Sequence, residues 1–225
     1  MRQHMIVAMA AVLLIGDALT AFAQGPLGQV VPVAPYPPPG GQGAPVAVGQ
    51  VQLYLLNPDG EVDGLLLADG TVIKFPPHLG AVLSMAVKPG ANVSVVGFSG
   101  ASTPYGRAVH ALSITNTATG QTVVDQPPAM PSVPPFMRGL ARSPISVSGT
   151  VARFLINPPG DVDGLVLTSG EEVRFRPHLG TVVVTALGGR AGTPITASGY
   201  GTRNALGTVV EAYSLVVGNQ TIPLQ

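Results

Sequence analysis

Cysteine and tryptophan are both absent from the 225 residues. No disulfide framework, thiolate metal site or cysteine nucleophile can therefore form. Aromatic residues make up 5% of the chain, which leaves few side chains on which bases could stack. Charged residues are equally sparse, at 10%, and Lys plus Arg number 11 against 11 for Asp plus Glu. A chain with zero formal charge has no long-range field to gather a polyanion, so nucleic acid is disfavoured as a partner. Gly-x-Ser-x-Gly, His-Glu-x-x-His and phosphate-loop patterns do not occur. Nothing in the chain implies a cofactor, and no residue is singled out as catalytic.

What the chain does have is apolar residues (46%), 29 Gly and 23 Pro. That composition suits a packed core with many turns rather than long helices. The N-terminus reads as a secretory signal over 1–23. Arg2 supplies the positive end, Ile6 to Ile15 the short apolar run, and Ala21-Phe22-Ala23 a small-x-small cleavage pattern before Gln24. Gly16 and Asp17 break the run before it could span a bilayer. No transmembrane segment is expected after cleavage, and the mature protein is expected outside the inner membrane, periplasmic or secreted.

One stretch occurs twice. Asn57-Pro58-Asp59-Gly60-Glu61-Val62-Asp63-Gly64-Leu65 and Phe75-Pro76-Pro77-His78-Leu79-Gly80 return as Asn157-Pro158-Pro159-Gly160-Asp161-Val162-Asp163-Gly164-Leu165 and Phe175-Arg176-Pro177-His178-Leu179-Gly180. An internal repeat of this length predicts two small domains, 49–124 and 147–225, each of roughly 75–80 residues. Pro-rich linkers are expected at 24–48 and 125–146, the second holding the copies apart.

Within copy one, Gln50 to Leu56 reads as a strand that is apolar on both faces. Asn57 to Gly60 is a turn, Glu61 to Ala68 a strand, Asp69-Gly70 a two-residue hairpin turn, and Thr71 to Phe75 a third strand. Leu79, Val82, Leu83, Ala86 and Val87 then fall on one face of a short helix, stopped by Lys88-Pro89-Gly90. Strands follow at 91–98 and 107–116, with 99–106 as the loop between them and a short return at 121–124. Copy two repeats the order, although Val182-Val183-Val184 favours strand locally. Three meander strands, a helix and two strands resemble the OB-fold, a five-stranded barrel. The chain also resembles exported bacterial proteins with tandem OB-fold-like repeats, a group whose resemblance implies export and architecture but no activity.

The resemblance to OB barrels puts ligand contacts on the outward residues of strand three and in the loop between strands four and five. Those positions are Lys74, Arg174 and Arg176, with Tyr105, Arg107 and Arg203. The expected ligand is an envelope glycan or protein. The alternatives are an oligonucleotide-binding module and a metal-dependent or acid–base enzyme built on Asp63, His78, Asp163 and His178. With Asp69-Gly70 as a two-residue turn, Asp63 falls opposite Pro76 and close to His78. A structural Asp63–His78 latch at the helix start accounts for that pair, since one His per copy is thin for zinc. A paired-carboxylate site between the two copies is set aside, because Asp69-Gly70-Thr71 is a hairpin turn with the wrong residue order, copy two has Ser169-Gly170-Glu171 there, and the Pro-rich linker argues against a fixed dyad.

Overall fold

The structure is a computed structural model that describes residues 43–127 and 142–224. The residues read as a leader, 1–23, lie outside the described residues, as do most of the stretches read as linkers at 24–48 and 125–146. Copy one forms β1 (Ala47–Leu56), β2 (Val62–Leu67), β3 (Val72–Lys74), α1 (Gly80–Ala86), β4 (Asn92–Thr103), β5 (Gly106–Asn116) and β6 (Thr122–Val124). Copy two forms β7 (Ser143–Ile156), β8 (Val162–Leu167), β9 (Glu172–Arg174), α2 (Gly180–Ala186), β10 (Pro194–Asn204), β11 (Gly207–Val217) and β12 (Gln220–Pro223). A turn of 3-10 helix, Pro77–Leu79 or Pro177–Leu179, leads into each α-helix. Among the described residues, no helix is long and apolar enough to cross a membrane.

Each copy closes into a five-stranded barrel. β1 pairs antiparallel with β2 and β4, β2 with β3, and β4 with β5, and a parallel β3–β5 contact seals the ring. The second barrel closes identically through a parallel β9–β11 contact. This is the expected OB-like order, with one short helix after the third strand. β1 and β7 begin at Ala47 and Ser143, inside the stretches read as linker.

Three differences from the sequence reading have physical causes. The first hairpin has three loop residues rather than two, because the Leu67 N–H donates to Thr71 O and Gly70 sits at φ +88°. That moves the register by one, so Gly64 faces Lys74 and Asp63 faces Phe75 rather than Pro76. α2 forms where the repeat places it, despite its three valines, because Val183 and Leu187 are buried against the barrel and tertiary packing outweighs propensity. β4 and β10 run on through most of 99–106 and 201–207, leaving only tight turns at their tips. Finally, the two copies are not held apart. Leu55, Leu66, Val72 and Ala108 of the first barrel pack into the buried cluster of the second. That contact explains why the first strand is apolar on both faces.

The repeated His-Leu-Gly has a packing reason. A Cβ on Gly80 would stand 2.2 Å from Val62 O, and one on Gly180 would stand 2.3 Å from Val162 O. Only glycine lets the helix start this close to the second strand. Gly80→Ala and Gly180→Ala should each cost about 1–3 kcal/mol by urea denaturation. A neutral outcome would mean that the helix can lift off the barrel without loss.

Candidate functional site

The two copies of the repeated turn are where the barrels grip each other. Asn57 Oδ1 accepts from the Asp59 and Glu61 N–H groups, and Asn157 Oδ1 accepts from those of Gly160 and Asp161. This Asx arrangement holds the turn open at Gly60 (φ +83°) and Gly160 (φ +105°). The β4–β5 hairpin of the first barrel then covers the second barrel's turn, with the Ala101 N–H donating to Pro158 O at 2.8 Å. The β10–β11 hairpin of the second barrel does the reverse. Thr202 Oγ1 donates to Pro58 O at 3.0 Å, and Asn204 Nδ2 donates to Gly60 O at 2.9 Å. Tyr105 packs its ring on Phe154, with centroids 5.0 Å apart. Arg142, just before β7, donates to Asp59 Oδ1 at 2.8 Å and pairs with Glu211.

Between these grips lies a buried set of charges. Glu172 and Arg174 alternate with Val173 along β9 and point out of their own barrel, into the first. Glu172 Oε1 accepts from the Leu56 N–H at 2.7 Å, where β1 is irregular and that donor needs a partner. Glu172 Oε2 accepts from Arg174 Nε at 3.2 Å. The Arg174 guanidinium lies between the two repeated aspartates, 3.5 Å from Asp63 Oδ1 and 3.7 Å from Asp163 Oδ1. Lys74 Nζ donates to Asp63 Oδ2 at 3.0 Å. Asp63 Oδ1, Asp163 Oδ1 and Arg174 Nη2 are buried without directed hydrogen bonds and are held by charge alone. They line a cavity of about 280 Å3 at the seam.

Burial sets the protonation of this cluster. It pushes the Glu172 carboxyl up to about 7, with Arg174 and the Leu56 N–H opposing it only in part. Burial also raises Asp163 against the pull of Arg174 and Lys74. Lys74 is lowered, first by burial and then by the Arg174 charge. For Arg174, burial works against the charge, but Glu172, Asp63 and Asp163 outweigh it and raise its pKa.

The residues expected to form a ligand face are thus placed otherwise. Lys74 and Arg174 do point out of their barrels, but what they meet is the other barrel and not solvent. Arg174 is 7% exposed. Arg176 alone of the three is exposed. Tyr105 is taken up by Phe154, while Arg107 Nε donates to Thr71 Oγ1 and Arg203 Nε donates to Thr208 Oγ1. The Asp63–His78 latch does not form. The shifted register gives Asp63 to Lys74, and His78 Nε2 lies 2.9 Å from Gln126 O and 3.6 Å from Asp125 Oδ1. The second copy departs in the same way, since Asp163 faces Arg174. Among the described residues, no group of three or more His, Asp or Glu side chains is placed to hold a metal. Sequence reasoning turned Glu172 outward with Arg174 but assigned it no role. Asp63 and Asp163 come near each other across the copies, which the sequence reading did not anticipate, and a guanidinium separates them, so they do not form a proton-sharing pair of carboxylates.

In comparison with known proteins, no family model, no curated protein and no solved structure matches the chain.

Removing one partner from a buried ion cluster leaves the others uncompensated. Arg174→Met should therefore cost about 3–5 kcal/mol in urea unfolding, against under about 0.5 kcal/mol for the exposed Arg203→Gln. The pH dependence near neutrality follows from Glu172. Its folded pKa of about 7 lies above its ordinary 4.5, so the native state holds the proton more tightly. The stability this supplies is complete below about 4.5 and is lost as pH rises through about 7. The melting temperature should fall across that window, and Glu172→Gln should flatten the fall. An unchanged slope in the variant would assign the titration elsewhere.

Proposed function

We propose that this chain is a non-catalytic, exported binding and scaffolding protein whose two barrels work as one rigid body. The observation that carries the reading is the use of the outer strand-three face and the β4–β5 hairpins to hold the other barrel. Those are the surfaces with which OB barrels usually take ligands. A linear ligand would have to displace Glu172, Arg174 and both hairpin grips to reach them. Ligand contacts therefore belong on the outside of the pair. The charged groups of the seam have a structural role in the brace, which supports a protein without chemistry at that place. Export rests on the leader-like residues at 1–23, and an envelope glycan or protein is the partner class that suits such a compartment.

The oligonucleotide reading competes directly. It is tested by titrating a ten-nucleotide poly-dT strand into the isotopically labelled chain and following amide shifts. We expect no saturable shift at Lys74, Arg174, Tyr105 or Arg203. Micromolar binding at those residues would overturn the proposal, because it would require the seam to open for nucleic acid.

A further inference from the structure

The flank of the second barrel carries a cleft of about 530 Å3 that borders the seam at Arg142, Arg176 and Glu211 and opens away from it. Its floor is apolar, formed by the buried side chains of Phe175 and Leu224. Tyr200 and Tyr213 form one wall, 52% and 38% exposed, with ring centroids 6.0 Å apart and tilted by 54°. Arg142, Arg176 and Glu211 supply its polar rim. The volume suits a small ligand, and the lining is mixed, with slightly more polar than apolar surface around the apolar floor.

The backbone is built to present this tyrosine pair. Ser198 pairs with Ser214 and Gly199 with Ala212, so Tyr213 is the extra residue of a β-bulge. A bulge breaks the alternation of side chains and re-aims the extra one. Here it sets Tyr213 beside Tyr200, while Tyr213 O still accepts from the Leu224 N–H at 2.8 Å. Gly199 is required opposite, since a Cβ there would lie 2.0 Å from Glu211 O. The first barrel has the same bulge, with Gly97 pairing with Ala111, but it places Leu112 at the bulge and Phe98 where the second barrel has Tyr200. The position of Arg176 is held there by Pro76. The second barrel alone thus combines two phenols with a cation.

Charge identifies the ligand class. Arg142 is shared by Asp59 and Glu211, so its guanidinium is already engaged within the protein. Arg176 is exposed and makes no ion pair among the described residues, which leaves its guanidinium open to an anionic group at the cleft. Tyrosines offer rigid, amphipathic faces with a hydroxyl at the rim, well matched to a ring that is apolar on one face and hydroxylated at its edge. We propose that this cleft binds a carboxylated oligosaccharide, with a sugar ring against Tyr200 and Tyr213 and the carboxylate at Arg176. This rests on the reading of the chain as an envelope binding protein and names its ligand class.

The test is calorimetric titration of the whole chain with four probes. They are a muramic acid disaccharide, a uronic acid disaccharide, the neutral N,N′-diacetylchitobiose and a proline-rich peptide. At least one carboxylated sugar should bind about tenfold tighter than the neutral one. Arg176→Gln should abolish that preference, and Tyr213→Ala should weaken binding about tenfold, whereas Tyr213→Phe should fold and retain the stacking contribution. The two acidic sugars separate a peptidoglycan source from a uronate source. Absence of sugar binding at millimolar concentration, binding indifferent to Arg176 and Tyr213, or binding of the proline-rich peptide alone would each overturn the proposal. The oligonucleotide titration is independent of this outcome, so the broader binding reading would survive its loss.

Discussion

A guanidinium can leave water only where anions and acceptors meet it. Arg174 is buried at the seam, and every anion within its reach comes from a fixed place in one barrel or the other: Glu172 and Asp163 from its own, Asp63 from its neighbour. Glu172 in turn needs the Leu56 N–H of the first barrel. Neither barrel can satisfy this cluster by itself. The ions are therefore a specification of how the barrels dock more than a source of net stability, which comes from Leu55, Leu66, Val72 and Ala108 buried around them.

The duplicated turn takes its place in the same scheme. Each Asn-Pro-x-Gly turn is shaped by its asparagine and then held by the other copy's hairpin. Because each copy offers a turn and a hairpin, two contacts form around an approximate twofold relation, as in an isologous dimer. Fusion of the two copies in one chain lets them diverge without losing the pairing. Lys74 against Arg174, and Val72 against Glu172, are that divergence at the seam. Phe98 against Tyr200, and Leu112 against Tyr213, are the same process at the outer flank, where the second barrel gained a polar aromatic cleft.

The sequence disclosed the barrel more readily than the pairing of barrels. Period-two alternation, the Asn-Pro turn and the 79–87 helical face each depend on neighbours along the chain, and those elements form where local chemistry places them. The loss began with non-local effects. Nothing near Asp69-Gly70 distinguishes a two-residue loop from a three-residue one, and that single step removed Asp63 from His78 and gave it to Lys74. Strand alternation correctly turned Lys74, Glu172 and Arg174 out of their barrels, but alternation says nothing of what lies outside. One signal was present: Leu55 and Leu56 are adjacent and both bulky and apolar, more than a single barrel interior can accept from one strand. The bulged Tyr213 left no trace, because a bulge changes pairing across strands without changing composition along them.

The central claim is that the two barrels are one cooperative body. Differential scanning calorimetry measures this most directly. The account predicts a single endotherm, with calorimetric and van't Hoff enthalpies in a ratio of about 1 for the whole chain. Two separable transitions, each with the enthalpy of a single barrel, would contradict it.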